Sequence, residues 1–170
     1  SGKITEPVVE SQYNEYSAKK SGHALLDRKM VMHSGSPIEI CDLYTKNKEF
    51  VHVKHYGGSG VLSHLFNQGV VSAELFSMHS SYRKKMNDQL PVEFQVKNPD
   101  QSIIPEQYKV VFGIISDAKG ALEIPFFSKV SLRNSYRRLR LYRYEVYFQK
   151  IEVDGSVQLK SDKKTKKKKK

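Results

Sequence analysis

The sequence contains no tryptophan and a single cysteine, Cys41. One thiol excludes an internal disulfide and any cysteine-cluster metal site, which points to a reducing, cytoplasmic setting. Cys41 itself reads as a small apolar residue in a strand. No apolar run approaches the roughly 20 residues that span a bilayer, and no basic-then-apolar leader opens the chain, so neither a membrane nor a secretory role is expected. There is no Gly-x-Ser-x-Gly elbow, which argues against a serine hydrolase. A P-loop lysine and a dinucleotide fingerprint are also missing. His23, His33, His55, His64 and His79 lack the spacing of a zinc site. No internal repeat is visible.

What remains describes a folded, soluble chain. Its 170 residues suit one domain, with 38% hydrophobic and 28% charged residues. The net charge of +11 is concentrated at one end: residues 160–170, KSDKKTKKKKK, carry eight lysines and one aspartate, or +7, which leaves +4 for the rest. A lysine run binds polyanions without reading their sequence, so it marks an anionic partner or a solubilising tail. Residues 1–5 read as a flexible, vector-derived start, residues 6–158 as the folded domain and residues 159–170 as the lysine tail. The sequence begins with Ser1-Gly2 rather than methionine, and a fragment of a longer protein is expected.

Residues 6–20 read as a helix with Pro7 in its first turn and Ser21-Gly22 as its stop. HALLDRKMVM (23–32) reads as a first strand, IEICDLY (38–44) as a second and FVHVKHY (50–56) as a third, joined by short turns into an antiparallel meander. Beyond Gly57-Gly58-Ser59-Gly60 the period changes from two to about 3.6, and Leu62, Leu65, Phe66, Gly69, Val70, Ala73 and Phe76 form one stripe of a core-facing helix. Residues 87–106 read as a connecting loop with little regular structure. YKVVFGIIS (108–116) has the apolar, β-branched composition of a strand covered on both faces. A third helix over FFSKVSLRNSYRRLRLYR and a last strand over EVYFQKIEV complete an α+β fold, a mixed sheet flanked by helices.

The residues that could carry chemistry cluster between Pro37 and Gly69. His52 and Lys54, two apart on one strand, share a face and can hold a phosphate from two sides. The acid that joins them depends on the hairpin register. If paired residue numbers total 93, Glu39 faces Lys54; if they total 94, Asp42 faces His52. Asp42 is the costlier of the two to bury in an apolar strand. Gly58 and Ser59 open a helix whose free N–H groups favour anions, with Ser59 as its expected cap. Gln68 sits beside the apolar stripe, where it can reach back over the sheet. Glu10 and Glu15 lie five apart on the first helix, offset around its axis. Arg133, Arg137, Arg138 and Arg140, interleaved with tyrosines, suit phosphate and base contacts.

At IEICDLY, FVHVKHYGGSGVLSHLFNQGVVSAELF and IPFFSKVSLRNSYRRL the chain resembles the C-terminal part of an uncharacterised, sporadically distributed bacterial family associated with restriction and phage-defence loci. That likeness covers roughly residues 10–152. The element order over residues 8–116 is also similar to the core of the PD-(D/E)XK nuclease superfamily. This second resemblance implies a restriction-endonuclease-like fold in which Asp42 is the second-strand acid, Lys54 the catalytic lysine, and Glu10 or Glu15 the helix acid. It further implies Mg²⁺ or Mn²⁺ held by Asp42 with Glu39. His52 departs from the pattern, standing where an acidic ligand is expected.

The resulting expectation is a metal-dependent nuclease domain acting on DNA, or alternatively RNA, in a bacterial defence context. The rest of a larger chain would be its partner, and a homodimer is compatible. A non-catalytic nucleic-acid-binding module is the alternative. A phospholipase-D-like use of His52-x-Lys54 is a third reading.

Overall fold

The computed structural model describes residues 10–153; the expected start at residues 1–5, Pro7 and the lysine tail at 159–170 lie outside the described residues. Helix α1 (Glu10–Ser21) ends where Gly22 takes φ +63°, a left-handed conformation natural to glycine. Five short strands follow: β1 (Ala24–Leu25), β2 (Met30–His33), β3 (Ser36–Glu39), β4 (Leu43–Tyr44) and β5 (Glu49–His55). Then come α2 (Ser59–Met78), α3 (Ser80–Asn87), β6 (Lys109–Ser116), α4 (Phe126–Leu141) and β7 (Glu145–Glu152). The fold is α+β, with a mixed five-stranded sheet in the order β1-β4-β5-β6-β7 and a separate β2-β3 hairpin. It is consistent with a restriction-endonuclease-like arrangement. β5, β6 and β7 run parallel, and β4 pairs antiparallel to β5.

The three-strand meander differs from expectation in a way that creates the candidate site. Its first two strands are each broken. Ala24 pairs with Tyr44 and Leu25 with Leu43, but beyond the break Met30 pairs with Glu39, so residues 26–29 oppose residues 40–42. The surplus residue is a bulge, which bends the hairpin and tips β2 and β3 out of the main sheet. Arg28 (φ +61°) absorbs part of the bend. Leu26, Ile40 and Cys41 are fully buried at the corner, so the bend is fastened by apolar packing. The β4–β5 ladder follows the second register, Leu43 against Val51 and Tyr44 against Phe50.

One face of the sheet carries the main core. Phe50 of β5 and Val110, Phe112 and Ile114 of β6 pack there with the α2 stripe and Leu139 of α4. The stripe expected from the sequence is the buried side of α2, joined by Ser72. On the other face Val53 and Ile115 are covered by Tyr13 of α1, Ile151 and Val153. α3 was not expected. Its Tyr82 and Met86 are buried, and so is Arg83, 3% exposed. The Arg83 guanidinium donates to the carbonyls of Phe76 (2.7 Å) and Ser77 at the end of α2, and to those of Pro99 (2.8 Å) and Gln101 (3.0 Å). Residues 87–106, which contain a short 3-10 turn at Val92–Phe94, are thereby strapped to the helix. A recess of about 560 Å³ lies between this strap and the β4–β5 turn.

α2 crosses the sheet closely at Gly69, because a Cβ there would lie 2.5 Å from Phe112 Cε1 and 3.3 Å from His52 Cδ2. Gly69→Ala is expected to lower stability by about 1–3 kcal/mol through overpacking, read as a shift in urea midpoint at unchanged slope. A variant as stable as the parent would show that α2 does not sit this close to β6.

Candidate functional site: an acidic cleft at the hairpin bend

The bend brings side chains from four elements into one cleft of about 300 Å³, lined by Glu10, Asp27, Glu39, Asp42, Lys54, Gln68 and neighbouring residues. β4 begins only at Leu43, so the far end of β5, paired with β6 on one edge, has no partner strand on its other edge. Asp42 takes the place of that strand. Its amide donates to the Val51 carbonyl (3.0 Å), and its carboxylate accepts the Val53 N–H at 2.6 Å. The other carboxylate oxygen accepts from Asn14 Nδ2 at 3.2 Å. Glu10 holds the next two residues of β5. Its carboxylate accepts the His55 N–H (3.0 Å) and pairs with the Lys54 ammonium (2.7 Å). Glu10 and Asn14 are one turn apart on α1, hence on one face.

Glu39 enters from the end of β3. It accepts from the Arg28 N–H (3.1 Å) and from Gln68 Nε2 (3.0 Å), so the bulge and α2 both fix it. Asp27, on the bulge itself, completes a group of three acids: one carboxylate oxygen from each of Asp27, Glu39 and Asp42 lies within 4.8 Å of the others. Opposite oxygens around Mg²⁺ stand about 4.2 Å apart and around Ca²⁺ about 4.8 Å. Three carboxylate oxygens this close could hold one divalent cation, and an all-oxygen donor set is the kind that hard cations take.

Burial raises the Asp42 pKa to about 7, against the pull of the Val53 hydrogen bond, and the nearby Glu39, Asp27 and Glu10 push it further the same way. Four carboxylates face Lys54 and Arg28 in this cleft. A negative cleft repels phosphate unless a cation intervenes.

Of the residues expected from the sequence, Glu10, Glu39, Asp42, Lys54 and Gln68 meet in the cleft. His52 does not. It lies beneath α2 beside Phe112, 3% exposed, with its Nε2 unpartnered. Burial lowers its pKa to about 4, so it is neutral. Glu15 is exposed on α1 and does not line the cleft, being too far around the helix from Glu10. Gly58 is the cap residue of α2, and Ser59 is the first helical residue, not the expected side-chain cap. The arginine group divides. Arg138 grips Glu74 with two nitrogens, and Arg140 donates to the Tyr144 carbonyl at 2.9 Å. Arg133 and Arg137 remain exposed, with no ion pair to a described residue.

Sequence reasoning missed Asp27 and Asn14. Asp27 interrupts the apolar run HALLDRKMVM, the same signal that singled out Asp42. Asn14 stands four residues after Glu10, the spacing that shares a helix face, whereas attention fell on Glu15.

The fold and site define an α+β protein with a carboxylate-lined cleft beside a lysine. A family model described as "Family of unknown function (DUF6119)" matches residues 3–152, and the chain belongs to that family. No curated protein and no solved structure matched it.

Charged Asp42 is costly here, and the sign of its pH dependence follows. Its folded pKa, about 7, exceeds the ordinary 3.8, so its contribution to stability declines as pH rises from about 4 to 7. Asp42→Asn in EDTA should therefore stabilise the chain at pH 8 by on the order of a few kcal/mol and by almost nothing at pH 4. The introduced amide can still accept from Val53 and donate to a turned Asn14. Urea denaturation at both pH values checks this; equal stability of the two proteins at pH 8 would contradict a strained carboxylate.

Proposed function

We propose that this chain is a divalent-metal-dependent nuclease domain that cleaves phosphodiesters of DNA. The observation that carries this reading is the convergence of Asp27, Glu39 and Asp42 on one point of an open cleft that also holds Lys54. Mg²⁺ or Mn²⁺ bound by these three acids would lower the pKa of a water and offset the charge of the phosphate. The chain's own residues supply the placement. Val53 and Asn14 fix the Asp42 carboxylate, while Gln68 and Arg28 fix Glu39. Glu10 holds Lys54 at the cleft wall, where its ammonium can hydrogen-bond a phosphate oxygen and orient an attacking water. The defence setting rests on the resemblance to restriction-associated proteins alone.

One observation favours a second reading, a non-catalytic nucleic-acid-binding module of a larger protein. Position 52 is a histidine rather than a carboxylate and is buried under α2, so β5 brings a lysine but no acid to the cleft. The same burial leaves the phospholipase-D-like reading without an accessible nucleophile.

Cleavage of labelled DNA with Mg²⁺ or Mn²⁺ separates these readings. Asp42→Ala should abolish cleavage, and Lys54→Ala should slow it by about 10²–10⁴. Unaltered cleavage in both variants would refute the assignment. Binding without any metal-dependent cleavage by the parent chain would establish the module instead.

A further inference from the structure

We propose that the outer side of α4 is a track for single-stranded nucleic acid, with Phe126 and Phe127 stacking on unpaired bases and Arg133 and Arg137 holding the phosphates. This rests on the nucleic-acid reading above and names the substrate form. Phe126 and Phe127 occupy the first turn of α4 and are 71% and 70% exposed. Their rings stand 5.5 Å apart at 74°, edge to face, so the edge of one ring meets a single face of the other and the remaining faces are left open to a base. They add nothing to the core.

Their neighbours point to the ligand. Phe126, Val130, Arg133 and Arg137 follow at spacings of four, three and four, the repeat of one helix face. The buried positions Ser128, Ser135 and Leu139 lie on the opposite side. Arg138 and Arg140 are engaged with Glu74 and Tyr144, whereas the two arginines aligned with Phe126 make no ion pair with a described residue. Exposed cations beside exposed rings suit a polyanion that presents flat π faces. A single strand has such faces, while a duplex keeps them stacked within itself. An anionic membrane suits this helix less, because Arg133 and Arg137 interrupt the apolar side that would have to insert.

The position also fits. Ser63 of α2 hydrogen-bonds Ser131 of α4 at 2.9 Å and Glu74 pairs with Arg138, so the two helices lie side by side and run in the same direction. Phe127 precedes Ser131 by one turn, and His64, next to Ser63, lines the acidic cleft. The aromatic turn of α4 is therefore separated from the acidic cleft by the single helix α2, whose His64 and Gln68 line that cleft.

The test is fluorescence anisotropy of the full chain in EDTA at about 200 mM salt. The probes are an oligothymidine of about 16 nucleotides, an abasic strand of equal length and a duplex. The parent should prefer the oligothymidine to both others. Phe126→Ala with Phe127→Ala should weaken oligothymidine binding about tenfold or more and leave the duplex unchanged. Arg133→Gln with Arg137→Gln should lower the salt slope by about 1.4, or 0.7 per phosphate. Equal affinity of parent and phenylalanine variant for the oligothymidine overturns the proposal. So does equal affinity of the parent for abasic strand and oligothymidine, or tighter association with phosphatidylserine vesicles that the same variant loses. EDTA keeps the result independent of cleavage. A chain that binds in this way but cuts nothing loses the nuclease reading only; one that cuts through Asp42 with no phenylalanine effect loses the track only.

Discussion

The hydrogen bond from the Val53 amide to the Asp42 carboxylate fixes where the sheet stops and the site starts. A two-residue β4 cannot pair the whole of β5, and an unpaired N–H at the buried end of a strand carries a penalty. Asp42 supplies the missing acceptor from a side chain, which frees the backbone of residues 40–42 to turn the corner. Once the corner is turned, β2 and β3 leave the main sheet, the bulge brings Asp27 and Glu39 beside Asp42, and α1 closes the other side with Glu10 and Asn14. The bend and the acidic cleft are one feature.

That arrangement sets local stability against function. Three acids converge where burial already disfavours charge, and this raises the pKa of Asp42. Two of the three are held from more than one direction. Glu39 and Asp42 accept two hydrogen bonds each, from Arg28, Gln68, Asn14 and Val53. Held carboxylates with a raised pKa are the pattern from which a site is proposed, in contrast to scattered surface acids.

The regular parts of the fold were legible in the sequence. The α2 stripe followed from periodicity and the β6 strand from its continuous apolar, β-branched run, and the helix and strand that close the chain were also anticipated. The broken hairpin was not, because a bulge depends on which residues the corner must bury, and HALLDRKMVM and IEICDLY each read as one continuous strand. This also explains why the choice between Glu39 and Asp42 misled. It treated the hairpin as flat, where a shift of one residue exchanges faces, whereas a bent hairpin brings both acids to the same point. His52 stays outside the cleft for a related reason. Alternation places it on the face shared with Lys54, but that face is roofed by α2 over His52, where Gly69 lets the helix approach. α3 escaped notice because its polar sequence hides Tyr82, Arg83 and Met86, all buried.

Arg83 has a consequence for how this protein can change over time. It holds the strap through main-chain oxygens of Pro99 and Gln101, not through their side chains, so the anchor is indifferent to most substitutions there. Exposed residues such as Val92, Lys97 and Ile104 can drift without releasing the segment from the end of α2. The rim of the recess beneath it is therefore an evolvable wall on a fixed hinge pin. Substitution of that rim would leave the acidic corner at the hairpin bend untouched, since the two share no residue.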